Sequence, residues 1–110
     1  MNEESIQEKL EKVRLSYISA LAEKRDMINS NWANLQDNWN PQDYDHIYRL
    51  IHGIAGSAET FGFPELTVKA RAALDDLKEV SNSQPDSTLL DSIENKIFLL
   101  CELLQKISKS

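Results

Sequence analysis

His52-Gly53-Ile54-Ala55-Gly56-Ser57-Ala58-Glu59-Thr60-Phe61-Gly62 is the stretch of the chain that decides how the rest is read. Apolar residues recur through and before it at Ile47, Leu50, Ile51, Ile54, Ala58 and Phe61, in steps of three, one, three, four and three. That spacing makes one buried helix face at about 100° per residue. On the same wheel His52 falls about 150° from the centre of the stripe, in a sector shared with Tyr48, Gly56 and Glu59. Glycine inside a helix costs about 1 kcal/mol against alanine, so Gly56, one turn beyond His52, needs a reason. Close approach of another molecule to the imidazole supplies one. The pattern predicts a histidine displayed to solvent.

Working outward, Asn40-Pro41 opens this helix: Asn40 caps it, and Pro41 takes the first position, where a missing N–H costs nothing. The helix is expected to run to about Phe61, with Gly62 as its stop. Upstream, a helix starting near Glu3 carries Ile6, Leu10, Val13, Tyr17, Leu21, Ala22 and Ile28 at helical spacing. Trp32 and Leu35 continue it, either as one long helix or as two with a bend near Asn29-Ser30-Asn31. Downstream, Phe63-Pro64 opens a third helix with Leu66, Ala70, Ala73, Leu74, Leu77 and Val80 on its buried side. Ser81 to Ser87 reads as a polar loop. A last helix carries Leu89, Leu90, Ile93, Ile97, Leu100, Leu104 and Ile107 at nearly heptad spacing. Four amphipathic helices with short connections predict an all-α, up-down four-helix bundle with a long N-terminal helix, formed by residues 1–110 as one domain.

Composition narrows the function. The chain has 110 residues, 12 Lys and Arg against 18 Asp and Glu, and a formal charge of −6 at pH 7. An acidic surface argues against binding nucleic acid, which needs clustered cations, and against docking on anionic membranes. No apolar run approaches the ~20 residues that span a bilayer, and the acidic N-terminus lacks the zones of a signal peptide. A cytoplasmic protein is expected. Cys101, the single cysteine, sits in an apolar stripe and reads as a buried thiol. No cofactor or metal site is expected: there is no nucleotide-binding glycine loop and no carboxylate cluster for Mg²⁺.

With these residues in view, the chain resembles the histidine-containing phosphotransfer (HPt) domain. The resemblance rests on His-x-x-x-Gly-Ser at His52, Gly56 and Ser57, followed by Thr60-Phe61-Gly62-Phe63, and covers about residues 42 to 78 by motif. It implies a phosphorelay carrier in two-component signalling, with His52 phosphorylated and response-regulator receiver domains or a hybrid sensor histidine kinase as partners. It implies a transfer intermediate, not an enzyme with turnover of its own. Many members carry Lys three residues after the histidine, where this chain has Ala55, so the charge compensating a phosphoryl group must come from elsewhere. Arg49, one turn earlier, and Lys69 or Arg71 on the third helix are the candidates. The docking face is expected to comprise Tyr48, Arg49, the exposed edge of Ile51, Gly53, Ala55, Gly56 and Glu59, small in profile and less acidic than the domain average. Ser57 can bond a phosphoryl oxygen or, more simply, the preceding helical turn.

The chemistry suits these residues. A neutral imidazole nitrogen is nucleophilic near physiological pH, and phosphoryl transfer depends on positioning and charge compensation. His46 lies about 120° from His52 on the wheel, so the two cannot chelate one metal, and His46 reads as structural or solvent-facing. Trp32 and Trp39 read as packing, and Asp75-Asp76 as a solvated face. The alternative reading is an interaction module that binds a receiver or kinase without passing phosphate. A free-standing monomer is expected, with a dimer through the Trp32–Trp39 end of the first helix as its rival.

Overall fold

The computed structural model describes residues 5–81 and 83–109. The chain forms four helices, α1 (Ile6–Asp37), α2 (Pro41–Ser57), α3 (Pro64–Lys78) and α4 (Ser87–Lys109), with no strand among the described residues. Contacts run α1–α2, α2–α3, α3–α4 and α4–α1 with no diagonal pair, which is a square up-down bundle. Its cross-section of about 22 × 21 Å is two helix diameters each way. The core is aliphatic: Leu21, Ile28 and Leu35 of α1, Ile47, Ile51 and Ile54 of α2, Leu66 and Leu77 of α3, and Ile93, Leu100 and Leu104 of α4 are all fully buried. Of the predicted stripes, Leu50, Val80, Leu89, Leu90 and Ile107 pack only partly, at the edges of this core.

α1 is one long continuous helix, the first of the two expected alternatives, with no break at Asn29-Ser30-Asn31. Asn31, buried in that region, donates Nδ2–H to Met27 O at 2.8 Å, so its side chain is satisfied one turn back without breaking the helix. Ser5 caps α1, its hydroxyl accepting the Glu8 N–H at 3.1 Å. The expected start near Glu3 lies outside the described residues, as do Asn82 in the α3–α4 loop and Ser110. The predicted stripe of α1 is only partly a core stripe. Ile6, Leu10 and Val13 are 79, 62 and 52% exposed. They precede the level at which Arg14 Nε reaches Phe61 O and Tyr17 stacks on Phe61 with ring centres 4.2 Å apart. The apolar surface around Trp32 and Trp39 is spent inside the bundle end instead: Trp32 is buried, and Trp39 meets it edge-on at 6.2 Å.

α2 ends four residues before the predicted Phe61, because the last turn tightens. Phe63 N–H bonds Ala58 O at 2.8 Å and Gly62 N–H bonds Glu59 O at 3.0 Å, the paired closure of a Schellman turn. Gly62 has φ +92°, which side chains rarely tolerate, so the glycine is the stop that the sequence predicts. Asn40 caps α2 through the Asp43 N–H at 2.9 Å, with Pro41 at the first position. α3 and α4 are tied by Asp76, which accepts from Lys96 at 2.8 Å and from Ser92 at 2.5 Å. Burial works against its charge, but these partners hold the carboxyl below its usual range. Asp76 is thus an inter-helix tie, not the solvated face expected of Asp75-Asp76. Cys101 is buried as predicted, and desolvation pushes its thiol up to about 11. No described helix is long and apolar enough to cross a membrane.

Candidate functional site

The two faces of α2 divide the helix between folding and display. Ile47, Ile51, Ile54 and Ala58 are fully buried, and His52 projects from the opposite side, exposed as the wheel predicts. Beside it α2 and α3 leave an open cleft of ≈ 280 Å³, lined by His52, Ala55 and Gly56 from α2 and by Arg71, Leu74, Asp75 and Lys78 from α3. Thr67, buried on α3, points its hydroxyl at Ala55 O on α2, 3.5 Å away, a long contact between the two helices. Two cations and one carboxylate on α3 make this wall net positive in a domain that is net negative. Among the described residues, nothing hydrogen-bonds or ion-pairs with the His52 imidazole. Its one ring contact is Tyr48, one turn earlier, with ring centres 6.2 Å apart and planes 15° from parallel.

Gly53 and Gly56 flank the histidine on the exposed surface. A Cβ at either would meet nothing within 4 Å, and neither has a positive φ. The bundle therefore gives no packing or backbone reason for glycine there.

Comparison with protein-family models places the chain as a whole. The model described as the Hpt domain matches residues 7–109, nearly the whole chain. The chain belongs to the Hpt domain family. No curated protein and no solved structure matches it. Hpt domains carry phosphoryl groups in two-component phosphorelays and interact with receiver domains and kinases, a carrier's role and not that of a conventional enzyme.

Within this Hpt domain the predicted site residues separate. Ile51 is fully buried and offers no exposed edge, because its side chain completes the core stripe. Ala55, where many family members have lysine, is 8% exposed and forms cleft floor. Ser57 turns inward: its hydroxyl donates to Gly53 O at 2.8 Å and pairs with Tyr17 Oη at 3.0 Å, so it holds α1 to α2. Arg49 is exposed and bonds Asp45 at 2.9 Å, one turn back and away from His52. Arg71 lines the cleft, and Lys69, two residues earlier and about 200° round the helix, does not. Glu59 is exposed in the turn after α2. Sequence reasoning missed Lys78, which stands about 20° from Arg71 on the wheel of α3 and lines the same wall. That alignment was available once Arg71 was suspected.

His46 is structural in the sense expected. Its Nδ1 lies 3.1 Å from Asn31 Oδ1, linking α2 to α1. A larger hollow where α2 begins, lined by Trp39, Tyr44, Val80 and Ser81 among others, has no histidine in its lining.

Proposed function

We propose that His52 is the phosphoryl carrier of this Hpt domain, accepting the group from a receiver aspartate or a hybrid sensor kinase and donating it to another receiver. One observation carries the reading. The imidazole is exposed at the mouth of the α2–α3 cleft, its nitrogens unengaged, with Arg71 and Lys78 on the facing wall. In the accepting step the unprotonated nitrogen attacks phosphorus. The N–P bond forms as the bond to the aspartyl oxygen breaks, and the carboxylate leaves with its electron pair. The other ring nitrogen holds its proton. Donation runs the same steps in reverse onto the next aspartate.

Arg71 and Lys78 take the place of the cation missing at Ala55. They offset charge on the phosphoryl oxygens from across the cleft, where most phosphoryl-transfer catalysis lies. The docking surface is the exposed strip of α2 around His52, with Gly53 and Gly56 providing the low profile a receiver needs to bring its aspartate in line. The carrier works as a cytoplasmic monomer. The buried aliphatic core shared by the four helices supports that state, and sedimentation at micromolar concentration checks it against pairing through the exposed Ile6, Leu10 and Val13 of α1 or through Val68 and Phe98.

The deciding experiment is intact-mass analysis after incubation with a phosphorylated receiver. The expected product carries one phosphoryl group, stable in base and labile in acid. His52→Gln should take no label. A His52→Gln protein that is labelled at the wild-type rate defeats the proposal. A wild-type protein that binds the receiver without label makes the domain a binding module instead.

A further inference from the structure

We propose that Tyr48 is the positioning residue for His52: its ring stacks on the imidazole and fixes the ring plane without occupying either nitrogen. This rests on His52 as the phosphoryl carrier and adds how that carrier is held. A histidine used in chemistry is ordinarily oriented by a hydrogen bond to the nitrogen that does not react. Here no such bond exists among the described residues, and the side chain is exposed, the setting in which a histidine samples several rotamers.

The Tyr48 contact supplies the missing restraint. Ring centres 6.2 Å apart with planes 15° from parallel describe a laterally offset stack, a geometry aromatic pairs favour. The stack is rooted in the fold. Tyr48 is half-buried against the core and packs on Tyr44 at 6.2 Å. Tyr44 in turn packs on Trp39 at 6.3 Å and donates its hydroxyl to Leu77 O on α3 at 2.6 Å. Burial raises the Tyr44 hydroxyl above its ordinary range, with Tyr48 contributing second, so it stays a donor at neutral pH. The run Trp39, Tyr44, Tyr48, His52 thus ends on the imidazole, with its first members fixed by the bundle.

A contact to the ring face suits a carrier better than one to its edge. Transfer needs one nitrogen free to attack and the other free to hold or release a proton. An edge hydrogen bond would engage one of them, while a stack restrains rotation and leaves both nitrogens unengaged.

Two variants separate the stack from bulk: Tyr48→Phe keeps the ring, and Tyr48→Leu keeps apolar volume without it. In the unphosphorylated protein, three-bond couplings and ring-to-ring Overhauser contacts should report one His52 rotamer in wild type and Tyr48→Phe, and rotamer averaging in Tyr48→Leu. With a phosphorylated receiver as donor, Tyr48→Leu should lower the saturated transfer rate about 3- to 10-fold, the range expected for an aromatic pair. The half-saturating receiver concentration should stay unchanged, and Tyr48→Phe should transfer like wild type. Unaltered His52 rotamers in Tyr48→Leu overturn the proposal. So does an unaltered rate, and so does a loss confined to half-saturation, which would make Tyr48 a docking contact. Failure of the carrier reading has a different sign: label appears on His52→Gln, while the coupling measurement still decides whether Tyr48 orients the ring.

Discussion

α2 carries two histidines six residues apart, and both are exposed. His46 is tethered: Asn31 turns Nδ2 to Met27 O and so presents Oδ1, to which His46 Nδ1–H donates at 3.1 Å. His52 is tethered only through its ring face, and it borders a cleft whose far wall bears two cations. Neither residue type nor exposure distinguishes them. The difference lies in whether the nitrogens are already engaged by the fold, and in what charge faces them.

The sharpest way to break this comparison is to exchange the losses. His52→Gln should abolish phosphoryl acceptance and leave the unfolding midpoint nearly unchanged, because the ring makes no polar contact. His46→Gln should accept at close to the wild-type rate. Equal loss of labelling in both would mean that α2 acts as a unit and that the tether at His46 sets the position of His52.

Next in size is the charge across the cleft. A hydrogen bond to a charged group is worth about 1.5–3 kcal/mol, but solvent reaches this site, which discounts it. The Arg71→Ala, Lys78→Ala double variant should therefore transfer about tenfold more slowly, roughly 1.4 kcal/mol. Its rate should also depend less on ionic strength than the wild type's. Lys69→Ala, outside the cleft lining, is the control, and an effect there equal to the double variant's would mean that general surface charge, not the facing wall, matters.

The sequence made one side of this comparison legible and hid the other. Which face of α2 points outward follows from the apolar period alone, so the display of His52 is legible without its neighbours. The stop at Gly62 was equally legible, because only glycine suits φ +92° at the close of a Schellman turn. What stands opposite His52 depends on how α3 is rotated and raised against α2, and a wheel gives angles within a helix, not between helices. That Lys78 lines the facing wall and Lys69 does not is for that reason not legible in the sequence. The same blindness applies along the axis: Ile6, Leu10 and Val13 fit the core period of α1, but they precede the level at which Arg14 and Tyr17 meet Phe61 of the α2–α3 turn, and they stay exposed. Ser57 was the reverse case, since its bond to the preceding turn is local and was foreseeable, while its Tyr17 partner lies 40 residues away.

A smaller effect tests the tethered side. His46→Ala leaves Oδ1 of the buried Asn31 without its His46 partner, which should lower the unfolding free energy by about 1 kcal/mol in urea titration, with transfer unaffected. No change in stability would make the Asn31 contact incidental and weaken the contrast between the two rings.

The smallest expected effect asks why glycine flanks the displayed histidine. Replacing Gly56 by alanine meets nothing within 4 Å and needs no unusual φ. The substitution should stabilise the bundle by about 0.5–1 kcal/mol through helix propensity and the less flexible unfolded chain. In a domain of this size that raises the melting temperature by a few degrees. Transfer from a receiver should not improve with it, and Gly56→Trp, whose helix content should be nearly native, should block transfer by occupying the approach to His52. A Gly56→Ala protein that is less stable than wild type would show that the fold itself wants glycine there. The low profile beside His52 would then be a by-product of folding, and the case for a partner approaching over this face would rest on the cleft cations alone.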